Sequence, residues 1–171
     1  MTKNTMLKTL LVGFIAISVQ HIAFGQADKE NAQLANALSS AKISLQSGIA
    51  ASEREGRPIS AKFEVEGGNL QLSVYTMKGD KFSEVIIDHQ TGRIAKTEAI
   101  TEGEDLASAK QQAEAMAKAK SSLREATDSA LKANSGFRAV SVIPTLKDGK
   151  PVAEVSVVKG GQFKTVTQNL N

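Results

Sequence analysis

Two stretches of the chain, residues 59–90 and 140–171, lie on one another without a gap across 32 positions, and this self-similarity narrows the fold more than any other feature. Seven pairs are identical: Ser60/Ser141, Gly68/Gly149, Val74/Val155, Lys78/Lys159, Gly79/Gly160, Phe82/Phe163 and Val85/Val166. About two would follow from ordinary residue frequencies. Helical periodicity precedes both stretches, so the chain reads as a helix followed by strands, written twice.

The first helical stretch runs from Lys29 to Glu55, with Leu34, Leu38, Ala41, Leu45, Gly48 and Ile49 at three- and four-residue steps forming one apolar stripe. Gly56-Arg57-Pro58 is read as its end, because glycine caps a helix and proline cannot continue one. Alternation follows: Ile59, Ala61, Phe63 and Val65 point one way, and Ser60, Lys62, Glu64 and Glu66 the other, as in a half-buried strand. Gly67-Gly68-Asn69, Lys78-Gly79-Asp80-Lys81 and His89-Gln90-Thr91-Gly92 mark turns between this strand and segments beginning at Leu70, Phe82 and Arg93.

The order then recurs. Thr101-x-x-Glu104 has the form of a helix capping box. Apolar positions continue from Leu106 through Leu131, with Lys120 the one charged residue in register, and Asn134-Ser135-Gly136 closes the run. About 30 helical residues is long against a typical 11–12, which leaves open a linker helix over Glu104–Ala117 or a kink within one helix. Strand-like segments follow at 137–147, 151–159 and 163–168. Pro144 cannot donate to a ladder and is expected at a sheet edge or a bulge. A unit of some 70 residues is marginal alone, so the two units, 29–100 and 101–171, are expected to pack together or share one sheet. The fold class is α+β, each unit a helix on a three- or four-stranded antiparallel sheet.

Residues 1–25 read as a cleavable signal peptide. Lys3 and Lys8 supply positive charge, Leu10–Val19 is a ten-residue apolar core, and Ala23-Phe24-Gly25 sets small residues for a cut before Gln26. The apolar run is far short of the roughly 20 residues that span a membrane. With no cysteine in the chain, a disulfide framework, a Cys-ligated metal and a lipid-anchored lipoprotein are excluded. The expected address is periplasmic or secreted. From Gln26 onward, 19 Lys and Arg face 18 Asp and Glu, a net of +1, and one Tyr with no Trp is thin for base stacking, so no nucleic-acid partner is expected.

This pattern resembles the PepSY family, small domains of peptidase propeptides and secreted bacterial proteins. Gly56 stands at the family's turn, Leu72-Ser73-Val74 at its middle strand, and Val85-Ile86-Ile87-Asp88-His89-Gln90-Thr91-Gly92-Arg93-Ile94 at its closing Asp-x-x-Thr-Gly strand. The second unit matches through Ala130-Leu131, Val140-Ser141-Val142 and Val155-Ser156-Val157, but Asn169 replaces Asp88 and no Thr-Gly follows. The resemblance implies a non-enzymatic interaction module whose protein partner is an envelope or secreted peptidase that it inhibits or chaperones. The hairpins around Gly67–Asn69 and Lys147–Lys150 are the expected contact points.

The residue chemistry agrees with a binding role. His89 is the one histidine after residue 25, and it falls in a turn, without the positioned partner that a base needs. Asp88 is read as a turn former, because it is the single carboxylate between Val85 and Ala95 while calcium takes six or more oxygens. Glu64 and Glu66 share a solvated strand face, Glu102, Glu104 and Asp105 suit a helix N-terminus, and Gly67-Gly68 and Gly160-Gly161 open no helix that could hold phosphate. Lys110, Gln111, Gln112 and Lys118 read as a hydrated helix side, and Met116 as core. No catalytic, cofactor or metal-binding residue is assigned. One alternative stays open: a small-ligand or cation-binding envelope sensor using the groove between helices and sheet, for which a pocket of about 300 Å³ with convergent polar groups is the mark. A hydrolase would need His89 or a carboxylate pair.

Overall fold

Alternation and turn chemistry organise the whole structure. It is a computed structural model and describes residues 29–171; the signal-peptide reading of residues 1–25 lies outside that range. Helix α1 covers residues 29–37 and passes into a 3₁₀ turn at Leu38–Ser40. Then come α2 (Leu45–Ser52), β1 (Arg57–Glu66), β2 (Asn69–Lys78), β3 (Lys81–Ile87), β4 (Ile94–Ile100), α3 (Gly103–Lys118), α4 (Leu123–Ala133), β5 (Arg138–Lys147), β6 (Lys150–Lys159) and β7 (Gln162–Asn169). Among the described residues the strands form one antiparallel sheet in the order β4-β3-β2-β1-β5-β6-β7. The fold is α+β.

Tight hairpins fix the register. Gly67 and Gly68 have φ of 56° and 83°, and Asp148 and Gly149 of 52° and 74°, the left-handed pair that a two-residue turn between twisted strands requires. The two flanks meet only where Ala61 and Lys62 of β1 pair with Val142 and Ser141 of β5.

Helices cover both faces. The Gly48 backbone of α2 sits against the Leu72 side chain, so α2 lies on the face of Phe63, Leu72 and Val74. On the same face, α4 joins α2 through Gln46–Asp128 and Arg124–Glu53 contacts. Ser60 faces the other way and donates to Gln112 Oε1 at 2.6 Å, which places α3 on the opposite face, over β1, β5 and β6. The core is continuous, from Leu45 and Ile49 through Val74, Val85, Val142 and Val155 to Ala109, Ala113 and Met116.

Three expectations are corrected and one open point is resolved. The stretch 29–55 is not one helix: it breaks at residues 41–44, where Ser44 Oγ accepts the Ser47 N–H and starts α2 afresh. The open point is the second helical region, which forms two helices divided at residues 119–122, where the chain passes from one face of the sheet to the other. The capping box forms at Ser122 and Glu125, not at Thr101 and Glu104; Gly103 takes φ 75° there, and Glu102 occupies the N-cap position without a side-chain bond. Pro144 lies in a central strand, with the bulge at Ala139/Ser141, yet β1 stops pairing at Val142, so no partner strand calls for an N–H at 144.

Gly56 also has a different role from a helix cap. Helix α2 has ended by Ser52, and a Cβ at Gly56 would lie 2.8 Å from the Met77 carbonyl oxygen. Glycine is needed there for close backbone approach.

Candidate functional site

The crossing at 119–122 leaves a pocket of about 430 Å³ between the C-terminal ends of α2 and α3, the start of β1 and the N-terminus of α4. Its floor is apolar: Ile49, Pro58, Met116, Ala119 and Leu123. Its rim is charged: Glu53, Arg57, Lys120, Arg124 and Glu125. The linker is pinned because the Lys120 and Ser121 N–H groups both donate to the Leu170 carbonyl, at 2.7 and 3.1 Å.

The rim charges are not equally committed. Glu53 pairs with Arg124 at 3.5 Å. Glu125 accepts from the Ser122 N–H and hydroxyl, and the backbone bond first of all holds its carboxyl below the usual range. Arg57 spends one donor on the Met116 carbonyl at 2.6 Å. Neither Arg57 nor Lys120 has a carboxylate within ion-pairing distance among the described residues. Both cations are unpaired among the described residues, and with Arg124 set against Glu53 and Glu125 the rim carries a net charge of +1 over an apolar floor.

A second feature is one of the two sheet edges, the other being β7. Among the described residues β4 pairs with β3 alone, and Ala95, Lys96, Thr97, Glu98 and Ala99 are all exposed. Lys96 and Glu98 pair at 2.7 Å on one face, and Ala95, Thr97 and Ala99 present small side chains. Helices α2, α3 and α4 pack chiefly over the other strands.

The Asp-x-x-Thr-Gly segment builds a loop. Asp88 Oδ1 accepts the N–H groups of Gln90 and Thr91 at 2.8 and 3.1 Å, and these backbone bonds hold its carboxyl below the usual range. Gly92 takes φ 74°. The His89 carbonyl accepts from the Lys42 and Ile43 N–H groups, and the Gln90 side chain donates to the Ser40 carbonyl, so the loop fastens the break between α1 and α2. The His89 ring has a side-chain neighbour in Gln90, at 3.2 Å from Nδ1.

From the opposite side, Arg138 fastens the same break. Its guanidinium donates to the carbonyls of Leu38, Ala41 and Ile43 and lies 5.3 Å from the Phe63 ring centroid. Burial lowers its pKa. No spacing in the sequence marks Arg138, since its partners are backbone atoms some 95 to 100 positions away.

Other residues read from the sequence do not assemble. Glu64 is taken by Lys62 at 2.6 Å and by the Ser73 hydroxyl, while Glu66 stands exposed at the strand end. Glu104 and Asp105 lie in the first turn of α3. The hairpins at Gly67–Asn69 and Lys147–Lys150 are exposed but stand at opposite ends of the sheet, because β1 and β5 run antiparallel. Among the described residues, no three His, Asp or Glu side chains gather as metal ligands, and no helix is long and apolar enough to cross a membrane.

No protein-family model matches the chain, and no curated protein matches it. Among solved structures, a protein from Clostridium difficile 630, described as a putative lipoprotein, is similar over 67% of this chain and 75% of its own, at 10% identity and a TM-score of 0.41.

Proposed function

We propose that the protein is a duplicated PepSY-like module, exported by cleavage after Gly25 to the periplasm or beyond, that docks an extended segment of an envelope or secreted peptidase along β4. The exposed β4 edge, paired on one side by β3 among the described residues, carries this reading. An edge strand offers alternate N–H and C=O groups to an added strand, which supplies affinity, while side-chain pockets supply choice. Ala95, Thr97 and Ala99 leave room for the partner's side chains. The Lys96–Glu98 pair discourages self-association of the edge. Such docking blocks a partner's cleft by occupancy, with no bond made or broken by this chain.

Register supports the duplication. The bulges at Pro58/Ser60 and Ala139/Ser141, and the pairs Ser60↔Tyr75 and Ser141↔Ser156, recur at the spacing of the sequence repeat. The closing turn of the first unit, held by Asp88 and Gly92, supports the family likeness.

The test is hydrogen exchange on the protein bound to a peptidase captured from its own host's envelope. Slowed exchange over Ile94–Ile100, together with loss of peptidase activity, is the expected result. A captured peptidase that protects other surfaces and leaves β4 unchanged refutes the reading, as does failure to capture one.

A further inference from the structure

We infer that the pocket between α2, the start of β1 and the α3–α4 linker binds a small organic carboxylate with an apolar body. Its anionic head would sit between Arg57 and Lys120 and its body over Met116, Ile49 and Leu123. This site is separate from the β4 edge and stands or falls independently of docking there.

Three observations converge. The cavity, about 430 Å³, falls within the roughly 300–1,000 Å³ of small-molecule sites. The floor is apolar, so a bare inorganic ion would leave it wet, and an apolar body gains by covering it. The rim selects charge. Three cations face two carboxylates, a net of +1; Glu53 is ion-paired with Arg124, while Glu125 keeps its charge and spends its hydrogen bonds on Ser122. Arg57 and Lys120 are left over. A guanidinium with one of its five donors used still has a fork for a carboxylate. The first turn of α4, Ser122 to Glu125, lines the same space, its positive partial charge partly offset by the Glu125 carboxylate.

The same geometry explains Lys120, the one charged residue on the apolar stripe of the second helical region. Its backbone is fixed on Leu170 while its side chain lines the pocket mouth. A lysine there disfavours a cationic guest and tolerates a neutral one, so charge sign is the discriminating variable.

The experiment is a two-dimensional NMR titration of the whole protein with octanoate, 1-octanol and octylammonium in parallel. Octanoate is expected to shift the amides of Arg57, Lys120, Ser121 and Leu123 saturably, and to bind about tenfold tighter than either analogue. Added salt should weaken octanoate and leave octanol unchanged. Lys120→Glu, an exposed change that keeps the backbone bonds to Leu170, should lower octanoate affinity about tenfold and raise that of octylammonium. Equal binding of octanol and octanoate overturns the anion assignment while leaving an apolar site. Shifts outside the pocket, or none, overturn the site itself.

Discussion

Replacing Arg138 with methionine keeps an unbranched apolar stem over Phe63 and removes the guanidinium that ties three carbonyls together. Two of its bonds are short, 2.9 Å to Leu38 and 2.7 Å to Ile43, and two are longer, 3.3 and 3.4 Å to Ala41. Hydrogen bonds to charged groups contribute about 1.5–3 kcal/mol each. Taking the lower figure for the two short bonds, and setting the long bonds and ring contact against desolvation of the cation, gives about 3 kcal/mol. For a domain of this size that corresponds to a fall of roughly 10 °C in Tm. Arg138→Lys should recover less than half, since an ammonium lacks the planar fork that reaches several acceptors. Thermal unfolding followed by circular dichroism measures the loss, and hydrogen exchange locates it. The Lys42 and Ile43 amides, held by the His89 carbonyl, should exchange faster in the variant. An Arg138→Met protein within about 0.5 kcal/mol of its parent, or one destabilised with residues 38–43 unchanged, would refute the reasoning.

Tyr75 is the chain's one tyrosine and there is no Trp, so near-ultraviolet absorbance reports its ionisation directly. Burial, opposed by Lys62, pushes its phenol up to about 12; the folded protein should titrate there and the unfolded protein near 10.0, and stability should fall as pH rises through that window. Ser122→Ala should cost about 1 kcal/mol by removing the α4 cap, whereas Thr101→Ala should change denaturant midpoints by less than about 0.5 kcal/mol, since Thr101 caps nothing. Gly56→Ala forces a methyl against the Met77 carbonyl, so chemical denaturation should show a loss of about 1–3 kcal/mol.

The strands were legible because their signals are local. Alternation at Ile59–Val65 and the turn glycines at 67–68, 79, 149 and 160–161 set pairings that the ladder reproduces. Asp88 was legible for the same reason, its partners being two and three residues on. Helix breaks were less so. Apolar spacing carries through Leu38, Ala41 and Leu45 although the backbone stops, because the stripe persists on a common core while Ser44 restarts the helix; Ser44 and Ser122 were the available clues. The side of the sheet that α3 covers rests on contacts such as Ser60–Gln112, 52 positions apart, and no local pattern encodes it. The pocket was hidden likewise: Lys120 stood out along the chain, but Ile49, Arg57 and Leu123 converge on it only through the fold.

The midline of the sheet is narrow, two residue pairs between β1 and β5 against nine between β1 and β2. Main-chain bonding therefore contributes little to joining the flanks, and their cohesion comes from side chains of α2, α3 and α4 that straddle the junction. Loosening that outer packing would let the two wings splay like the covers of a book, each retaining its own hairpins, before any rim strand frays.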